Sequence, residues 1–306
     1  FFVFTLLIYN LFMLLRPKYS LLLSILVIFG YFIFVFYLFN QKSYVLPILE
    51  ISVMVILLYF INLIYYYIKT AEERKFIKNA FSHYLAPELV NQLLKNPHKL
   101  EYGGTEQEVT VLFADIKNFT TYAESHSPKE TVSILKEFFT EIVDIIKNNG
   151  GIVDKFVGDE IVTLFGVPVK YEDHAFRACK AALEIKEKLD TLKKKWIDEK
   201  KDPFEIGIGI NTGIAIVGNL GSEQIFDYSA IGDSINLGAR LEALTRDYRT
   251  QNDIIISHNT FDYSKDKIIS KFVDDVQVKG KTEVVKVYEL IGLKPEGGKE
   301  VNEAEE

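Results

Sequence analysis

Asp115 stands just past a short apolar run, Val109–Phe113, in the stretch Phe113-Ala114-Asp115-Ile116. Asp159 stands in the link Val157-Gly158-Asp159-Glu160, between the apolar runs Ile152–Phe156 and Ile161–Phe165. A lone aspartate in such a place is ordinarily a turn cap. Two of them at strand ends are held on a rigid scaffold and exposed at a sheet edge. If those edges coincide, the pair forms a hard-oxygen site for Mg²⁺ or Mn²⁺. Two ions on shared carboxylates, ~3.5–4 Å apart, suit displacement at phosphorus. One activates the attacking oxygen, and both neutralise the developing charge.

The elements that must position this pair alternate in period. Val109–Phe113 reads as a strand, Thr131–Lys147 as an amphipathic helix, and Ile152–Phe156 with Ile161–Phe165 as a hairpin. A long helix follows over Asp173–Lys195, then a strand pair, Phe204–Thr212 and Ile214–Gly218. Ser234–Thr245 reads as a helix, Asp253–Ser257 as a strand and Val284–Leu290 as a final strand. This order predicts an α/β domain over residues 101–294, a ferredoxin-like core of antiparallel-rich sheet with flanking helices.

Five segments carry a resemblance. They are VTVLFADIKNFT (Val109–Thr120), GGIVDKFVGDEIVTLFG (Gly150–Gly166), GIGINTGIAIVGNLGS (Gly207–Ser222), FDYSAIGDSINLGARLE (Phe226–Glu242) and VKGKTEVVKVYEL (Val278–Leu290). In order and spacing they closely resemble the class III nucleotidyl cyclases, which include most adenylate and guanylate cyclases. The resemblance implies that Asp115 and Asp159, 44 residues apart, bind two Mg²⁺ or Mn²⁺ ions, with the Ile116 carbonyl as a backbone ligand. It implies that Lys155 and Ser229 read the purine. Asn236 and Arg240 orient the ribose and stabilise the transition state, and Lys279 binds the terminal phosphates. It further implies a homodimer with shared sites, the aspartates from one protomer and the other five residues from its partner.

The residue types suit those roles. Asn236 and Arg240 are four apart, hence on one helix face. Arginine keeps its proton, which suits a phosphorus centre gaining negative charge. Lys155 can only donate a hydrogen bond and Ser229 can accept one, which fits the N1 and amino group of adenine. Guanylate cyclases typically carry Glu and Cys there, and Ser229 itself departs from the more usual Asp or Thr. Asp227 lies close enough in sequence to contribute. The expected reaction is ATP to 3′,5′-cyclic AMP and pyrophosphate. Its rivals are a guanylate cyclase and a nucleotide-binding receptor without turnover. The Gly280-Lys281-Thr282 run is no P-loop, because Asp275 stands where the first glycine belongs. His174 reads as structural, and Cys179 as buried and inert.

The rest of the chain places this domain at a membrane. Phe1–Leu15, Tyr19–Phe39 and Tyr44–Ile68 are apolar, and each suits a bilayer-crossing helix, the first if it began before Phe1. Glu50, near the outer end of the third, either reaches the headgroups or acts within the membrane. Arg16 and Lys18, and then Lys69, Arg74, Lys75 and Lys78, put the catalytic part on the cytoplasmic side of the inner membrane. The start inside an apolar run, without methionine, suggests a longer protein. By analogy with bacterial cyclases of this layout, a CHASE-type extracellular sensor would precede it.

Residues 69–100 read as a helical linker, with Phe76, Ile77, Ala80, Phe81, Tyr84 and Leu85 on one face and a second short helix, Glu88–Leu94, after Pro87. That stripe packs either on its copy in a parallel dimer or on the following domain. Residues 295–306 read as a disordered acidic tail. The net charge of −7, from 42 acidic and 35 basic residues, argues against nucleic acid as a partner. One cysteine excludes a disulfide framework or a cysteine-rich metal centre.

Overall fold

The computed structural model describes residues 9–10, 12, 15–81, 103–222, 224–248, 250–277 and 284–295. The chain divides into two compact units, Phe1–Val90 and Asn91–Glu306.

In the first unit, α1 spans Pro17–Lys42 and α2 spans Ile48–Phe81. Pro17 opens α1, where a missing N–H costs nothing. Large apolar side chains point outward along both helices: Phe29 is 63% exposed and Leu57 56%. Both helices are long and apolar enough to cross a membrane. The helices meet at a polar contact, in which the buried Ser20 hydroxyl donates to Asn62 Oδ1 at 3.0 Å. Inter-helix hydrogen bonds of this kind hold apolar helices together where the hydrophobic effect does not. Among the described residues there are two candidate spans, not three. Most of Phe1–Leu15 lies outside the described residues, as do residues 82–102 of the linker with its second helix. The expected span Tyr44–Ile68 and the first part of the expected helical linker form one helix, unbroken from Ile48 to Phe81.

The second unit is a sheet with helices packed on it. Its strands are β1 (Gly103–Ile116), β2 (Gly151–Val157), β3 (Glu160–Phe165), β4 (Ile206–Gly221), β5 (Phe226–Ile231), β6 (Ile254–Ser257), β7 (Ile268–Gln277) and β8 (Val284–Leu293). Their order is β2-β3-β1-β4-β6-β8-β7, with β5 paired to β4. The run β2-β3-β1-β4, antiparallel throughout, is the ferredoxin-like arrangement expected from the element order. The helices are α3 (Phe119–Ser125), α4 (Pro128–Asn148), α5 (His174–Asp198), α6 (Asp233–Leu244) and α7 (His258–Ser264).

Local chemistry sets these elements. Ser127 and Glu130 cap the start of α4 reciprocally. Ile134, Phe138, Ile142 and Ile146 then recur every four residues and are fully buried against α5 and the sheet. Replacing Ser127 with alanine is expected to lower stability by about 1 kcal/mol, read from the thermal midpoint.

The expected strand pair at residues 204–218 is a correction: β4 is one strand. Gly213 lies opposite Val109 in an unbroken ladder with β1, so the glycine spaces the strand and does not turn it. Its small size is needed instead for α6, since a Cβ there would lie 2.5 Å from Ser234 Oγ. Strands β5 and β7 and helices α3 and α7 were not expected from the residue pattern. In β7 the register shifts between Ile269 and Ser270 and again between Phe272 and Asp274, so no period of two survives in its sequence.

Candidate active site

Strands β1 and β3 pair antiparallel, with Ala114 opposite Ile161. The end of β1 therefore meets the loop that precedes β3. That loop holds two residues, Gly158 and Asp159, between the paired Val157 and Glu160. Gly158 takes φ +67°, as the first position of a type II′ turn requires. The turn brings Asp159 onto Asp115, and the two carboxyl groups share a hydrogen bond. Burial, that hydrogen bond and the charge of Asp115 push Asp159 up to about 6.

Two further acids join them. Burial raises Glu160, and the charges of Asp115 and Asp159 add to the effect. Glu242, on α6, is 3% exposed and is pushed up to about 7, mainly by burial. Arg246 answers this group. Its Nη2 donates to Asp115 Oδ2, and its Nη1 lies 3.2 Å from Glu242 Oε2. The side chain of Ile116 is buried at the last position of β1, beside this cluster in sequence. Among the described residues no three His, Cys, Asp or Glu side chains are arranged to hold a metal ion. The donor chemistry of Asp115 and Asp159 nevertheless fits a hard divalent cation. It is all oxygen, and it is crowded enough that a proton and a guanidinium are recruited to neutralise it.

A second cluster forms where β2 approaches β5. Lys155 Nζ lies 3.3 Å from Ser229 Oγ, bringing together residues 74 apart in sequence. The Ser229 hydroxyl donates to Asp154 Oδ2 at 3.1 Å. The charge of Asp227 also acts on Asp154. Burial raises Asp154 despite the nearby Lys155 ammonium.

Asn236 and Arg240 lie one turn apart on α6. Asn236 is exposed, and Arg240 is partly buried with Nη1 lacking any hydrogen-bond partner among the described residues. Neither of them, nor the Lys155–Ser229 pair, shares a hydrogen bond or ion pair with the Asp115–Asp159 group among the described residues. Lys279 lies outside the described residues.

Residues 102–292, more than half of the chain, match the family described as the adenylate and guanylate cyclase catalytic domain. The chain belongs to that family. It is 31% identical over 213 residues to "Adenylate cyclase 1" of Rhizobium meliloti, a match covering 70% of this chain and 32% of that protein. The chain therefore spans about a third of that curated relative. The adenylyl cyclase CyaB of P. aeruginosa superposes with TM-score 0.59 at 31% identity, over 63% of this chain and 98% of that one. The guanylyl cyclase Cya2 superposes with TM-score 0.57 at 33% identity, over 65% and 98%.

In this cyclase domain, α6 is seated close to the sheet, against glycines. A Cβ on Gly209 would lie 2.1 Å from the Glu242 backbone nitrogen, and one on Gly238 would lie 2.7 Å from Val111 Cγ1. This close approach delivers Glu242 and Arg246 to the carboxylates. Neither residue was singled out from the sequence, nor were Asp154 and Glu160. The available signal was the alternating glycines of Gly207-Ile208-Gly209, which mark a strand face crossed by another backbone.

The raised acid also predicts how the metal-free cyclase responds to pH. Asp159 has a folded value of about 6 against an ordinary 3.8, so folding takes up a proton between them. Its contribution to stability is most favourable at low pH and is lost as pH rises through about 6. In EDTA, Asp159→Asn is expected to melt above the wild type at pH 7.5, with the gap closing below pH ~6. A gap independent of pH would contradict the shared-proton pair.

Proposed function

We propose that the chain is a membrane-anchored adenylate cyclase, converting ATP to 3′,5′-cyclic AMP and pyrophosphate at sites shared between two copies. The observation that carries the choice of base is the Lys155–Ser229 pair, a donor and an acceptor 3.3 Å apart. Relatives named for adenylyl and for guanylyl cyclase activity resemble the chain about equally, so the choice rests on its own residues.

The roles follow from chemistry. Lys155 donates to N1 of adenine, and Ser229 accepts from its amino group. Asn236 holds the ribose. The ribose 3′-oxygen attacks the α-phosphorus in line, the bond to the β-phosphate bridging oxygen breaks, and the hydroxyl proton passes to solvent. Arg240, with a nitrogen unpartnered in the described residues, places fixed positive charge against the pentavalent centre. Lys279 grips the terminal phosphates. Asp115, Asp159 and the Ile116 carbonyl hold the Mg²⁺ or Mn²⁺ ions, which when bound acidify the 3′-hydroxyl and neutralise the triphosphate.

Two observations support a shared site. Among the described residues, the base-reading cluster and the carboxylate cluster make no mutual hydrogen bond within one chain. Apolar side chains also remain uncovered near the base-reading strands: Val157 is 54% exposed, Ile231 62% and Ile214 63%. A second copy would cover such a surface. On this reading α1 and α2 lie in the bilayer and the catalytic domain is cytoplasmic. Residues 69–100 join the membrane part to the cyclase domain.

The test is product analysis with purified chain, Mn²⁺, and ATP or GTP. ATP is expected to be preferred, with cyclic AMP as the product. Preference for GTP would refute the assignment of Lys155 and Ser229.

A further inference from the structure

The base-reading cluster contains a residue with no assigned role. Pairing between β2 and β3 runs from Val153 opposite Thr163 directly to Lys155 opposite Val162. Asp154 is thus the extra residue of a β-bulge. In a regular strand, consecutive side chains point to opposite faces, so Asp154 and Lys155 would diverge. The bulge re-aims them. Asp154 Oδ2 and Lys155 Nζ both reach Ser229 Oγ, at 3.1 Å and 3.3 Å, and lie 3.4 Å from each other. The side chain of Asp154 is 3% exposed, and its Oδ1 has no hydrogen-bond partner among the described residues. Ser229 is 4% exposed.

A serine hydroxyl carries one hydrogen and two lone pairs, and it rotates to suit its neighbour. Left free, Ser229 could accept from the 6-amino group of adenine or donate to the 6-oxo group of guanine. It would then discriminate poorly. An aspartate carboxylate only accepts, so Asp154 engages the hydroxyl hydrogen. Lys155 only donates, so it cannot supply an alternative acceptor for that hydrogen. What Ser229 presents outward is then a lone pair.

We infer that Asp154 is a specificity-positioning residue, which through Ser229 makes the base edge a fixed acceptor and selects a 6-aminopurine over a 6-oxopurine nucleotide. The inference rests on the reading of Lys155 and Ser229 as the base-recognition pair. It accounts for a serine at position 229, because the negative charge is supplied by Asp154 from β2.

The experiment measures kcat/KM for ATP and for GTP with the full chain in detergent, alongside its melting temperature. Asp154→Asn keeps the shape but can donate to Ser229 Oγ, which frees the hydroxyl hydrogen to point outward. The ATP:GTP ratio is expected to fall by roughly tenfold or more, partly through better use of GTP. Asp154→Ala, which removes the acceptor outright, is expected to shift the ratio in the same direction. Ser229→Ala should also lower the ratio, and adding Asp154→Asn to it should change the ratio no further.

A purely structural Asp154 would slow both substrates alike. An unchanged ratio in a folded variant, or failure of both Asp154 variants to fold, overturns the inference. Wild-type preference for GTP would refute the base-reading assignment itself, whereas ATP preference with an unmoved ratio would refute only the part given to Asp154.

Discussion

Asp159→Ala in the full chain is expected to lower cyclic-nucleotide formation by roughly a thousandfold, about 4 kcal/mol of transition-state stabilisation. The loss has two sources. The variant removes half of the paired carboxylate, and it leaves Asp115 to Arg246 alone. Arg240→Ala should lose activity on a similar scale, because the developing charge at phosphorus loses its fixed cation. The informative measurement combines them. Chains carrying Asp115→Ala and chains carrying Arg240→Ala are each expected to be inactive alone. Mixed and allowed to exchange, they form heterodimers in which one of the two sites is intact. About a quarter of wild-type turnover should return, since half of the dimers are mixed and each has one working site. No recovery on mixing, with exchange verified, would exclude sites built from two chains.

The second large effect concerns stability. Trp196 is fully buried near the end of α5, with its ring 4.9 Å from that of Phe204. Its indole nitrogen donates to Glu137 Oε2 at 3.1 Å, tying α5 to α4. Trp196→Ala removes the largest buried side chain and strands part of the Glu137 carboxylate, and is expected to cost about 3–5 kcal/mol. Trp196→Phe should cost less, because the ring contact with Phe204 survives. Scanning calorimetry of the full chain checks both. A loss under about 1 kcal/mol for the alanine variant would mean that the α4–α5 layer is not packed as described.

Much of this arrangement was legible in the residues. Asp115 and Asp159 could be read as a pair because each follows or interrupts an apolar run, and the antiparallel register of β1 and β3 then juxtaposes them. Periodic apolar positions located α4, α5 and α6 to within a few residues. Arg246 was not legible, because its role depends on how closely α6 lies on the sheet. Asp154 was hidden for a related reason. Alternation assigns it to the face opposite Lys155, and only the bulge, a property of the pairing and not of either residue, brings them together. Gly213 misled in the other direction, since a glycine between apolar runs reads as a turn until a helix is found seated over it.

The unbroken course of α2 has a mechanical consequence. Its 34 residues extend about 50 Å at ~1.5 Å each, against a hydrocarbon layer of ~30 Å. On the membrane-anchored reading, some 20 Å of the same unbroken helix would extend beyond the lipid. On that reading, a displacement of α2 within the bilayer would be carried as far as Phe81 by one continuous helix.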